Sequence, residues 1–243
     1  MIRLHVLGAL RIEGDGATDP AELLAQPKAV ALLAYLALAR PHGFHQRDRI
    51  VGLFWPEFDQ EHARAALRKL LHRLRQTIGD DLIDARGTES ISVRQTSFWC
   101  DALAFERAIE ADRLREALDY FRGDLMPGFF IPGAGEFDHW LDEERAYYRE
   151  RAVNVAWELV ERYAADSQLT NASQLARVVA RLAPTDERML RRVMTMVWRL
   201  GDRAGAMDVY TRFAERLWRD LETRPSPETT RLVEQIQSGR PAS

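Results

Sequence analysis

The hydrophobic period of this chain changes once along its length. As far as Val93, short stretches with apolar residues at alternate positions are interleaved with helical ones; from Leu103 to Gln237 only helical spacing remains. Alternation marks a strand with one buried face, whereas recurrence at i, i+3, i+4 and i+7 marks an amphipathic helix. A chain that stops alternating and never resumes cannot build one continuous sheet. It reads as mainly α: an α+β module over residues 1–100, then an all-α domain over residues 101–239.

Within the first module, Arg3-Leu4-His5-Val6-Leu7 and Leu10-Arg11-Ile12 alternate around Gly8 and stop at the turn residues Gly14-Asp15-Gly16. Pro27 suits the first turn of a helix, and Ala29–Ala39 is apolar nearly all round, which predicts a buried helix ended by Pro41-His42-Gly43. A short helix should follow from about Gln46, with Ile50, Val51 and Phe54 inward, until Trp55-Pro56 halts it. Leu82–Ala85, the turn Arg86-Gly87-Thr88 and Ile91–Val93 read as a β-hairpin.

The segment between these elements carries the functional signal. Asp59-Gln60-Glu61 opens a helix with acids suited to its N-terminal dipole, and Gly79 closes it. At about 100° per residue, Ala63, Leu67, Leu70, Leu71, Leu74 and Ile78 fall within about 100° of arc. Arg64, Arg68, His72 and Arg75 occupy the adjoining face, with Lys69, Arg73 and Gln76 further round. Solvated helix faces ordinarily mix signs, with an acid one turn before each base. Between Ala63 and Ile78 there is no acid at all, although the chain as a whole carries a net charge of −3. Such a helix can enter the major groove of double-stranded DNA, where Arg bonds guanine edges bidentately and neighbouring basic side chains hold phosphates. Strand, helices, cationic helix and hairpin in this order make a winged helix.

Helices are expected in the second module at 102–121, 136–164, 172–182, 186–200, 203–221 and 227–237. The Gly- and Pro-rich segment 123–135 holds Met126, Phe129, Phe130 and Ile131, which predicts an ordered connector. Ala172, Ala176, Val179 and Ala180 align with Ala206, Tyr210, Phe213 and Ala214 at a spacing of about 34 residues, the tetratricopeptide period. Trp140, Tyr148, Trp157, Trp198, Tyr210 and Phe213 are expected to pack mostly between helices.

Other chemistries leave no trace. No Gly-Lys-Ser/Thr, G-x-S-x-G, H-E-x-x-H or cysteine pair occurs, which disfavours an enzyme and predicts neither cofactor nor metal. Glu136 and His139 have the spacing of a di-metal carboxylate motif without its second copy, and His42 and His45 lack a third ligand. The lone Cys100, beside Trp99, reads as an inert core thiol in a reducing compartment. The start has no long apolar stretch, and Ala29–Ala39, at about eleven residues, is too short for a bilayer. A cytoplasmic, nucleoid-associated protein is the expectation.

Several segments resemble one family. IRLHVLGALRI at the start, LFWPE at 53–57 and ARAALRKLLHRLRQTIGDD at 63–81 resemble the winged helix of the bacterial antibiotic-regulatory-protein activators (the SARP family). DALAFE at 101–106 resembles that family's junction. ALDYFRGDLMPGF at 117–129, Trp140 with Glu144-Arg145, and APTDERMLRRVMTMVWRLGDRAGAMDVYTRF at 183–213 resemble its bacterial transcriptional activator domain (BTAD), and PSPETTRL at 225–232 closes the match. The resemblance implies a response-regulator-like winged helix with a tetratricopeptide-like domain, binding as a dimer to tandem promoter repeats, and recruitment of RNA polymerase. Carried over, Arg64, Arg68, Lys69, His72, Arg73 and Arg75 form the recognition element, and Arg86 is the wing contact. Glu89-Ser90 stands where many relatives have Gly-Tyr in the wing. The rival reading is a protein-interaction scaffold that uses the helical domain, with the winged helix as a docking module.

Overall fold

The computed structural model describes residues 1–14 and 20–239, so the expected turn at Asp15-Gly16 lies outside them. The chain forms two compact units, Met1–Tyr148 and Arg149–Ser243. The first contains β1 (Ile2–His5), β2 (Arg11–Gly14), α1 (Pro20–Leu24), α2 (Pro27–Leu38), β3 (His45–Gln46), α3 (Arg47–Phe54), α4 (Gln60–Ile78), a 3-10 turn at Asp80–Leu82, β4 (Ile83–Arg86), β5 (Ser90–Val93), β6 (Phe98–Cys100), α5 (Asp101–Glu110) and α6 (Leu114–Tyr120). The long helix α7 (Gly135–Ala165) contributes to both units, and α8 (Leu169–Leu182), α9 (Glu187–Arg199), α10 (Arg203–Leu221) and α11 (Pro227–Ser238) complete the second.

Two three-stranded sheets flank the helices of the first unit. In one, β1 lies between β2, antiparallel, and β6, parallel, with Leu4 opposite Ile12 and Cys100. In the other, β5 lies between β3 and β4, and the β4–β5 hairpin is the wing. Helix α2, which packs on β5 and on α1, α4 and α5, is buried from Ala29 through Leu38, as its all-apolar sequence requires. Tyr35, Phe54, Phe137 and Trp140 form one aromatic cluster that joins α2 and α3 to the start of α7, with ring centroids 4.9 Å apart for Tyr35–Trp140 and 5.0 Å for Phe54–Phe137.

Beyond its last pairing with β6, β1 leaves backbone donors behind, and Asp101 receives them. Its carboxylate accepts the Val6 N–H at 2.9 Å, the Leu7 N–H at 3.1 Å and the Ala102 N–H at 2.8 Å. Burial pushes this carboxyl group up, and the three backbone N–H bonds pull it back. The connector after α6 crosses this strand closely. Gly8, at φ +100°, lies so near Arg122 that a Cβ would meet its backbone carbon at 3.2 Å, and Met126 N–H bonds Val6 O at 2.7 Å. Arg145 fixes the same connector by donating to the carbonyls of Leu125, Met126 and Phe129 at 3.0, 2.6 and 2.8 Å. The connector is therefore ordered: Leu125, Met126 and Ile131 are buried, and of its large apolar side chains Phe130 alone is exposed, at 64%.

A polar latch ties α2 to α5 and α7. Arg40, just past α2, grips both oxygens of the buried Glu144 at 2.7 and 2.8 Å and stacks 3.9 Å over the Tyr147 ring. Its guanidinium lies 3.8 Å from Glu106, which also accepts the Tyr148 hydroxyl at 3.1 Å and faces His42 at 3.4 Å. Burial pushes the Glu144 carboxyl up, and the Arg40 charge opposes that shift.

Some elements depart from the sequence expectation. The helix expected over 102–121 breaks between α5 and α6, because Asp112 turns left-handed at φ +56° and the Arg113 N–H reaches back to Ala108 O at 2.8 Å. Strands β3 and β6 have two and three residues, too few to alternate visibly.

In the second unit, helices joined by short turns stack in sequence, α8 on α9, α9 on α10 and α10 on α11. Three of the four aligned pairs share their environment: Ala172 and Ala206 are buried, as are Val179 and Phe213, and Ala180 and Ala214 are half-buried, whereas Ala176 is buried and Tyr210 half-buried. The PSPETTRL segment closes the stack through Glu187, whose carboxylate accepts the Ser226 N–H at 2.9 Å and the Ser226 and Thr229 hydroxyls at 2.6 Å each. Partial burial pushes Glu187 up, but these bonds together hold it below the usual carboxylate range. Of the six aromatics expected between helices, Tyr148, Trp157 and Phe213 are buried, and Trp140, Trp198 and Tyr210 are half-buried.

Candidate nucleic-acid interface

Helix α4 is set by its two ends and its apolar stripe. Asp59 caps it by accepting the His62 N–H at 2.9 Å, and Gly79, at φ +91°, stops it. Ala63, Leu67, Leu71 and Leu74 are buried against the unit. Leu70 is not. Expected in the core, it is half-buried and lines a cavity of about 500 Å³ with Ala25, Trp55, Ile131 and Pro132. The wall opposite Leu70 comes from distant segments that leave a gap.

The other side of α4 faces solvent. Arg68, Lys69, His72, Arg73 and Gln76 are exposed, and Arg75 is half-buried. Arg64 is exposed but engaged: its guanidinium holds Asp48 of α3 at 2.8 to 2.9 Å through three hydrogen bonds. One contributor was invisible in the helix pattern. Arg47, in the first turn of α3, is half-buried, and its Nε has no hydrogen-bond partner among the described residues. Burial, then the charges of Arg75 and Arg68, push its pKa down. Three guanidinium groups from two helices thus share one neighbourhood, and among the described residues no carboxylate pairs with them; such a place draws an anion. The only sequence signal for Arg47 was its position immediately before Asp48, which is turned toward α4 by Arg64.

The wing is tied to α3 at Arg47, whose backbone N–H donates to Glu89 O at 2.9 Å. Arg86, at the end of β4, is exposed and stacks 3.8 Å over the Phe44 ring. The hairpin is braced at its base by Arg94, which donates to Asp84 at 2.5 and 2.9 Å and to Asp81 at 2.9 Å. Those bonds hold the Asp84 carboxyl below its ordinary range.

The remaining singled-out residues serve the fold. The Cys100 thiol is fully buried and pushed far above its ordinary value by burial and by the neighbouring Asp101. His45 is buried beside Tyr35, and burial followed by the charges of Arg49 and His42 lowers its pKa. Glu136 and His139 lie exposed in the first turns of α7, with His139 3.4 Å from Glu143. Among the described residues, no helix is long and apolar enough to cross a membrane.

This fold defines a class, a winged helix followed by a helical repeat domain. Residues 100–237 match the family model described as the bacterial transcriptional activator domain, and the chain belongs to that family. Its type is that of the SARP transcriptional activators, as its motifs imply. It is 27% identical over 251 residues to the regulatory protein AfsR of Streptomyces griseus, covering 97% of this chain and 24% of that protein. The AfsR of Streptomyces coelicolor is also 27% identical, over 99% of this chain and 25% of its own length. The chain thus spans about a quarter of the length of these relatives. Among solved structures, Mycobacterium tuberculosis EmbR, in complex with a low-affinity phosphopeptide, shares the fold with a TM-score of 0.62 and 20% identity, over 100% of this chain and 66% of that one.

Proposed function

We propose that the chain binds promoter DNA through α4, with Arg68, Lys69, His72, Arg73, Arg75 and Gln76 on the DNA-facing side and Arg86 of the wing in the adjacent groove. Arg64 belongs to the same set but approaches DNA already paired with Asp48. The observation that carries this reading is the exposed face of α4, without an acid from Ala63 to Ile78, opposite buried Leu67, Leu71 and Leu74. Arg68 and His72, with Arg75, meet base edges, and Lys69 and Arg73 hold phosphates. Arg47 supplies further positive charge from α3. The functional division falls near residue 100, with residues 1–100 as the DNA-binding part and 101–239 as the activator part. In this reading the protein acts in the cytoplasm on the nucleoid, pairs with a second copy on tandem repeats, and recruits RNA polymerase.

Retention on DNA-cellulose at low salt and release at moderate salt is the first test, because phosphate contacts weaken steeply with salt. Selection of bound genomic fragments then supplies the operator. Salt titrations of Arg68→Ala and Lys69→Ala against operator and scrambled duplexes separate base reading from phosphate holding. If neither variant changes either affinity, α4 is not the reading element and the scaffold reading replaces it.

A further inference from the structure

The second unit holds a basic cavity that the DNA reading does not use. Helix α8 presents Arg177 and Arg181 one turn apart, and α10 presents Arg212 and Arg216 one turn apart. The two ladders face a cavity of about 190 Å³ whose apolar lining is Ala180, Val209 and Phe213. Two of the four guanidinium groups are answered within the chain. Arg177 pairs with Asp202, and Arg212 Nε lies 3.1 Å from Asp208, which also lines the cavity. Arg181 and Arg216 have no acidic partner among the described residues. The local fold is built around this side: Gly205 leaves room for the Arg177–Asp202 pair, because a Cβ there would collide with both.

The geometry selects an occupant. Helices α8 and α10 occupy equivalent places in successive repeats, and grooves between such helices are where stacked repeats receive extended partners. Free guanidinium groups match carboxylates in bidentate fashion. The lining of Val209 and Phe213 asks for an apolar group between the charges, which a bare phosphate does not have. We propose that this groove docks an acidic peptide segment of a partner protein, its carboxylates on Arg181 and Arg216 and an apolar side chain against Phe213. The site is separate from α4 and does not depend on the DNA reading.

The test uses the full chain and a short fluorescein-labelled peptide alternating Glu and Leu, followed by fluorescence anisotropy. The expected result is saturable binding that vanishes when every Glu of the peptide is Gln. Combining Arg181→Gln with Arg216→Gln should weaken binding by about tenfold or more, since charge-assisted bidentate bonds are lost. DNA affinity should stay unchanged, and the circular-dichroism melt of the double variant should match that of the parent. Equal affinity for the Glu and Gln peptides, or unchanged affinity in the double variant, overturns the proposal. So does displacement of the peptide by inorganic phosphate as readily as by unlabelled peptide, because the groove would then be a plain anion site.

Discussion

Helix α4 and the helices of the second unit are both rich in arginine, yet they use it differently. In the second unit, four exposed arginines have an acid within hydrogen-bonding reach: Arg162 with Glu158 at 2.6 Å, Arg212 with Asp208 at 3.1 Å, Arg231 with Glu228 at 3.5 Å and Arg192 with Glu161 at 3.3 Å. On α4 the exposed Arg68, Lys69 and Arg73 have no acidic partner among the described residues. Local neutralisation makes a face soluble and electrostatically short-ranged, whereas its absence projects a field that an anion can follow. The net charge of −3 conceals this contrast, because the acids that produce it lie elsewhere.

Beside the exposed Arg64–Asp48 pair, α4 is anchored by its apolar stripe. Leu74→Ala should therefore cost about 2–5 kcal/mol in urea denaturation, and Leu70→Ala, at the half-open cavity, distinctly less. Equal losses would mean that Leu70 is as much a core residue as Leu74. Next in size is Arg40→Ala, expected to cost about 3 kcal/mol, the lower end for stranding a buried charge, because Arg40 is 38% exposed. This loss depends on pH. Glu144 titrates above its ordinary value because of burial, so the folded state holds the proton more tightly than the unfolded state does. Without Arg40 that shift grows, and the deficit should be largest at neutral pH and shrink as pH falls through the raised value. A deficit that stays constant on acidification would remove the charge of Glu144 from the explanation.

On DNA, Arg68→Ala should lose about 1–3 kcal/mol on the operator and little on scrambled duplex. Lys69→Ala should weaken both alike and lower the salt slope by about one unit. The smallest effect belongs to the neutralised faces: Arg231→Ala should change stability by about 0.5 kcal/mol or less, as for any exposed ion pair. A larger loss there would erase the distinction between the two kinds of arginine face.

Helix α4 was legible because its signal is local: nineteen consecutive residues with one apolar arc and, after Glu61 in the first turn, one sign of charge. The same holds for α10, whose limits match the periodic stretch 203–221. What escaped the sequence is non-local. Strand β6 is three residues whose partner, β1, lies near the other end of the module, and no periodicity can announce such a pairing. Asp101 looks like an ordinary helix opener until β1 brings its unpaired N–H groups to it. Leu70 has the spacing of a core residue, but its exposure depends on Ile131 and Pro132 of a connector some sixty residues away. Arg47 joins the basic face only because α3 packs on α4. The break at Asp112 rests on one backbone angle that the side-chain pattern does not report.

The latch at Arg40 bears on where such proteins can be joined in chimeras. The match to the family begins at residue 100, and that boundary is where one N-terminal head would be joined to other activator helices in a chimera. Arg40 lies on the head side of that boundary, and both carboxylates it serves, Glu106 and Glu144, lie on the other. A transplanted head without an arginine at this place would leave Glu144 charged in an apolar setting. A chimera joined at residue 100 should therefore be more stable when the incoming head brings its own cation for Glu106 and Glu144 than when it does not.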